Sequence, residues 1–164
     1  MVKILSFILV AFAAFFFMLP LGGLIAPWDY DVSGRTWAEY HKAIDFYMGA
    51  RMPVIALSCM GAMLLFLILN WQNRREKPFL FMLTALCIQI LLTVIAINTN
   101  VALNPIMNQW DPEQLPANWA AMRDEWLGYH HFNAPFNMGF ATCIFLSCYF
   151  YWTKDQNNRS KELV

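Results

Sequence analysis

Four apolar runs without a charged side chain, at 4–26, 52–71, 79–98 and 132–152, constrain this chain more than any motif in it. About 20 apolar residues, at 1.5 Å of rise each, cross the hydrocarbon core of a bilayer. With 59% hydrophobic and only 13% charged residues, the chain falls outside the range of ordinary soluble domains. The expected fold is all-α: one transmembrane four-helix bundle over residues 1–164, with outer loops at 27–51 and 99–131. The first run is read as a span and not as a signal peptide. Its apolar core exceeds the roughly 7 to 15 residues of a signal peptide, and no small-x-small cleavage site precedes Pro27.

Basic residues set the expected orientation. Lys3, Arg74, Arg75, Lys77, Lys154, Arg159 and Lys161 fall on one side, whereas only Arg35, Lys42, Arg51 and Arg123 fall on the other. Positive charge stays in the cytoplasm, so both termini are expected inside and the protein is expected to be multi-pass in the plasma membrane, the inner membrane if the source is bacterial. The outer side also carries eight carboxylates (Asp29, Asp31, Glu39, Asp45, Asp111, Glu113, Asp124, Glu125), a balance that argues against nucleic acid as a partner. Cys59, Cys87, Cys143 and Cys148 all lie within runs, so a loop disulfide is excluded and small packing residues are expected.

Two outer stretches have helical periodicity. Trp119, Met122, Arg123, Trp126, Tyr129 and His130 share one face, while Asp124 and His131 point elsewhere. Pro116 suits the first turn of this helix, and Pro135 is expected to kink it where it meets the fourth run. Earlier, Ser33 or Thr36 is placed to cap a helix whose stripe is Trp37, Tyr40, His41, Ile44, Met48 and Arg51, with Pro53 at its junction with the second run. Each amphipathic helix is thus expected to extend a span, the second and the fourth, on the extracytoplasmic side. The order of the two halves is alike, and both His41 and His131 are followed by Phe at plus five, Met at plus seven and Gly at plus eight. If this is a true repeat, His41 and His131 should approach each other. Beyond the third run, Asn100, Asn104 and Asn108 recur every four residues and would stack on one face, either binding a ligand or bonding a neighbouring helix; Pro105 is expected to stop or bend that helix.

The outer layer therefore gathers histidines, arginines and amides among tryptophans. Histidine is the natural base near neutral pH, and an aromatic-walled cavity at the lipid interface would admit a flat, apolar substrate. A plain interfacial belt of Trp and His is the competing reading. His130 and His131 point about 100° apart on a helix and no His-x-x-x-His motif is present, so no metal is expected.

The run Asn100-Val101-Ala102-Leu103-Asn104, followed by Trp119, Trp126 and His131 just before the last span, resembles a bacterial family of small four-span membrane proteins that is similar to fungal anthrone oxygenases. The family has proline where this chain has Ala102, and arginine where it has Asn133. The resemblance implies oxidation of a phenolic or polycyclic aromatic by dioxygen, with no cofactor favoured. It implies His131 or His41 as the base, Arg51 or Arg123 stabilising an oxyanion, and Asn100 and Asn104 positioning a carbonyl. Trp119 and Trp126, beside His130, would wall the pocket. The alternative is a membrane subunit without enzymatic activity that binds lipid, a partner protein or a second copy through its Trp-rich outer face.

Overall fold

The structure is a computed structural model that describes residues 32–162; the expected first span at 4–26 and the loop residues Trp28, Asp29 and Asp31 lie outside them. Among the described residues the protein is all-helical. Helix α1 (Gly34–Met48) starts where expected, because the Ser33 hydroxyl accepts the Thr36 N–H at 3.2 Å. Its buried edge is Trp37, Ala38 and His41, while Tyr40, Met48 and Arg51, counted in the expected stripe, are exposed. The helix is turned so that His41 and Asp45 face the asparagine ladder.

Helix α2 (Arg51–Leu69) is set off from α1 by the turn Gly49–Ala50. Pro53 lacks the N–H that the Gly49 carbonyl would otherwise receive, so the hydrogen-bond ladder is interrupted there. The first amphipathic helix is thus a separate element leading into the second run, not an extension of it. A tight connection through the 3₁₀ turn Trp71–Asn73 leads into α3 (Lys77–Asn98), with Pro78 in the first turn where no N–H is needed.

A break expected at Pro105 occurs instead at Thr99, which leaves helical geometry at φ −126° and ψ −96°. The Thr99 hydroxyl bonds back to the Ile95 carbonyl at 2.7 Å, a local competitor of the helical ladder. Helix α4 (Asn100–Met107) then carries Pro105 in its interior. Helix α5 (Trp119–Glu162) also departs from expectation, at its start. It begins after Pro116, whose carbonyl accepts the Trp119 N–H at 3.0 Å, and it continues as α-helix through Pro135. Proline removes one hydrogen bond, to the His131 carbonyl, and the turns on either side carry the helix past it.

Helix α2 and the stretch Lys77–Met107 are long and apolar enough to cross a membrane. The fourth run lies within α5 but is diluted by Asn133, Asn137, Thr142 and Ser147. Two clusters hold the helices together. In one, Met63 and Phe66 of α2 meet Phe79, Met82 and Ala85 of α3 and Phe140 and Ile144 of α5. In the other, Trp37 and Ala38 of α1 meet Met107, Trp110, Trp126 and Leu127. Leu57, Ile68, Val94, Ile97 and Phe145 remain more than half exposed, apolar side chains of a kind that suits lipid contact.

Candidate functional site

The second cluster is built around the indole of Trp126. Its Nε1–H donates to Asn104 Oδ1 at 2.9 Å, and its backbone carbonyl accepts from Asn100 Nδ2 at 3.2 Å. One turn along α4, Asn104 and Asn108 both donate to the Asp45 carboxylate of α1, at 2.6 and 2.5 Å. The expected asparagine ladder thus exists. It ties α4 to α1 on one side and to α5 on the other, which is its structural role whether or not it also meets a ligand.

His41 lies inside this frame, 3% exposed. Its ring stacks on Trp37, with centroids 5.1 Å apart and planes at 23°, and meets the edge of Trp126 at 5.3 Å. Neither ring nitrogen makes a hydrogen bond to a described residue, and the Oδ1 of Asn108 also lacks a partner among them. Burial holds the imidazole below its ordinary pKa, while the amides of Asn104 and Asn108 and the negative charge of Asp45 partly offset that effect. His41 is therefore neutral near pH 7, as a proton acceptor must be.

His130, not His131, completes the aromatic column, with its ring 4.2 Å from that of Trp126. Burial lowers its pKa to about 4, helped by the neighbouring His131 and His41. That coupling places His130 in the electrostatic range of His41. His131, the base favoured by the resemblance, is exposed. The approach expected between His41 and His131 is made by the preceding residue, because helical phase puts residue 130, and not 131, on the face of Trp126.

The remaining candidates are spread over the cap. Arg123 lies over the Trp119 ring, 5.1 Å from its centroid, and pairs with Asp124 at 2.8 Å. Trp119 in turn packs on Gly34, where an added Cβ would meet Leu115 and the Trp119 ring at 2.6 to 2.9 Å. Arg51 is exposed at the start of α2 and bonds to the Tyr47 carbonyl, away from the buried column. Asp45, with Glu39 and Glu125, belongs to the outer polar layer read from the sequence but was given no site role there, although its position four residues after His41, on the same helical face, was the available signal. Lys42, which donates to the Trp110 carbonyl, was missed as well.

Beside the column, an open groove of about 440 Å³ runs along Ile95, Glu125, Gly128, Tyr129 and Phe132. Within it the Tyr129 hydroxyl donates to Glu125 at 3.2 Å, and the carboxylate raises the phenol's pKa. The described residues contain no group of three His, Cys, Asp or Glu side chains suited to a metal, and no disulfide joins the cysteines among them. No protein-family model, no curated protein and no solved structure matches the chain.

Proposed function

We propose that the protein is an integral membrane oxidoreductase of the plasma membrane, a four-span bundle with both termini cytoplasmic, whose outer cap uses His41 as a base on a hydrophobic aromatic. The observation that carries this reading is the buried imidazole itself. It is neutral, it makes no well-aligned hydrogen bond although the amides of Asn104 and Asn108 lie close enough to act on it, and it sits beside the carboxylate those two amides hold. Buried polar atoms without partners are uncommon in folded proteins and concentrate where a ligand supplies the missing bond.

The resemblance to anthrone oxygenase relatives suggests the reaction. His41 would take a proton from the activated methylene of an anthrone-type substrate, and the resulting carbanion would add to dioxygen. Reprotonation gives a hydroperoxide, and loss of water leaves a second carbonyl, so each turnover consumes one dioxygen and releases one water. Asn104 and Asn108 are placed to orient the substrate oxygen, and Asp45 to stabilise the imidazolium once it forms. Of the two bases that the resemblance implies, His131 or His41, the buried His41 is preferred, since an exposed ring offers no enclosed surface to shape a substrate around.

One observation favours a second reading. The His41 ring is already stacked on Trp37 and met edge-to-face by Trp126, the packing expected of a non-enzymatic subunit that binds lipid, a second copy or a partner protein through its Trp-rich cap. Dioxygen uptake by the purified chain in nanodiscs, with an anthrone-type substrate, separates the two. Turnover that falls at least about a hundredfold in His41→Gln but persists in His131→Gln supports the enzyme. A folded wild type without turnover sinks it in favour of the subunit.

A further inference from the structure

At the opposite end of the bundle from the histidines, the geometry points to a binding site for the phosphate of an anionic phospholipid, between the start of α3 and the later turns of α5. An open hollow of about 510 Å³ is lined there by Arg75, Glu76, Lys77, Phe150, Thr153 and Lys154. Three cations thus surround a single carboxylate. Lys154 is held by Glu76, its ammonium 2.7 and 2.6 Å from the two carboxylate oxygens. Lys77 lies over the Phe150 ring at 4.8 Å, and Arg75 has no ion-pair partner among the described residues. Two positive charges are left for an anion.

Depth decides the kind of anion. The hollow opens where the membrane-length helix α3 begins, one short turn away from Trp71, an exposed indole with the Arg74 guanidinium 5.6 Å from its centroid. Trp and Arg in that position mark a membrane interface, and basic pockets between helices on the cytoplasmic side are suited to anionic headgroups. The floor, Phe150 stacked on Phe81 at 5.7 Å, offers apolar surface for the first carbons of an acyl chain. The inference rests on the membrane reading and not on the oxygenase chemistry at the other end. In the bound state the phosphate sits between Arg75 and Lys77 and competes with Glu76 for Lys154.

The test is retention of phosphatidylglycerol against phosphatidylcholine by the full chain, read by native mass spectrometry from mixed nanodiscs, with circular dichroism confirming the helix content of each variant. Arg75→Gln and Lys77→Gln should each lower phosphatidylglycerol retention about fivefold. Glu76→Gln should raise it, because Lys154 is released. Arg74→Gln removes a charge from the same loop but not from the hollow, and should change retention less than twofold. Equal losses in Arg74→Gln and Arg75→Gln would mean diffuse attraction to a basic surface and overturn the site, as would displacement by inorganic phosphate alone, which would mark a soluble anion. Insertion into phosphatidylcholine nanodiscs without selectivity would keep the membrane reading and remove this one.

Discussion

Between α2, α3 and α5 the middle of the protein is filled by Met63, Phe66, Met82, Ala85 and Ile144; between α1, α4 and α5 it is filled by Trp37, His41, Trp126 and the amides of Asn100 and Asn104. The first region relies mainly on shape. In lipid the hydrophobic effect does not draw helices together, so close packing of flexible and small side chains must do it. The second region uses bonds with direction, each one fixing a register between helices. A packed layer can be repacked with other apolar residues, whereas the cap admits few substitutions, and this is why the unsatisfied imidazole of His41 stands out in it.

That contrast gives its largest expected effect in the packed layer. Phe66→Ala should cost about 3 to 5 kcal/mol of unfolding free energy in detergent, because the cavity it leaves between three helices cannot collapse fully. The tryptophan emission of the folded cap should stay unchanged. An emission shift in the folded variant would show that the two regions are one cooperative unit.

Next in size comes the ladder. Asn104→Leu strands the Trp126 indole N–H and removes one of the two donors to Asp45. An orphaned, partly buried polar group costs roughly 1 to 3 kcal/mol, so a loss of about 2 kcal/mol is expected, with red-shifted tryptophan emission. Asp45→Asn should restore less of the fold than it removes, since an amide accepts fewer bonds than the carboxylate. A silent Asn104→Leu would mean that the cap is held by its indoles alone.

How far the sequence revealed all this differs between the same two regions. The packed layer was legible as apolar runs. In the cap, Ser33 and the Asn100–Asn104–Asn108 spacing could be read because local geometry fixes a capping hydroxyl and a four-residue repeat. Periodicity also put His130, and not His131, on the Trp126 face, where its ring lies; of the two bases that the family resemblance implied, His41 is buried in the cap and His131 is exposed. Asp45 could not be chosen among eight outer carboxylates without knowing that α4 would pass beside α1. The break at Thr99 was hidden by Pro105, the louder signal. Proline costs a helix one hydrogen bond, but a threonine that bonds back to its own ladder, followed by an asparagine with a partner on another helix, turned out to decide the local geometry.

Acid should weaken the cap and spare the packed layer. His130 has a folded pKa lowered to about 4 from an ordinary 6.5, so above pH 6.5 it is neutral in both folded and unfolded chains and contributes no pH dependence. As pH falls below 6.5 the unfolded chain takes up a proton that the folded chain refuses. Stability is therefore lost between about pH 6.5 and about pH 4, at up to about 1.4 kcal/mol per pH unit, and to a smaller total because the ring is only partly buried. His41, shifted in the same direction, adds to the slope. His130→Gln should flatten the dependence of unfolding free energy on pH across that window, whereas an unchanged slope would place the acid sensitivity elsewhere.

The smallest effect tests the packed layer from a polar bond within it. Ser147 is fully buried and donates to the Pro78 carbonyl at 2.7 Å, joining α5 to the first turn of α3. That carbonyl is also positioned to receive the Met82 N–H of its own helix, so removing the hydroxyl leaves it satisfied. Hydrogen bonds between helices in lipid average about 0.6 kcal/mol by double-mutant cycles, so Ser147→Ala should cost no more than that, and the smaller side chain still fits among Phe79 and Ile144. A loss near the 2 kcal/mol expected for Asn104→Leu would mean that directed bonds also govern the packed layer, and the difference drawn between the regions would then be one of residue type and not of mechanism.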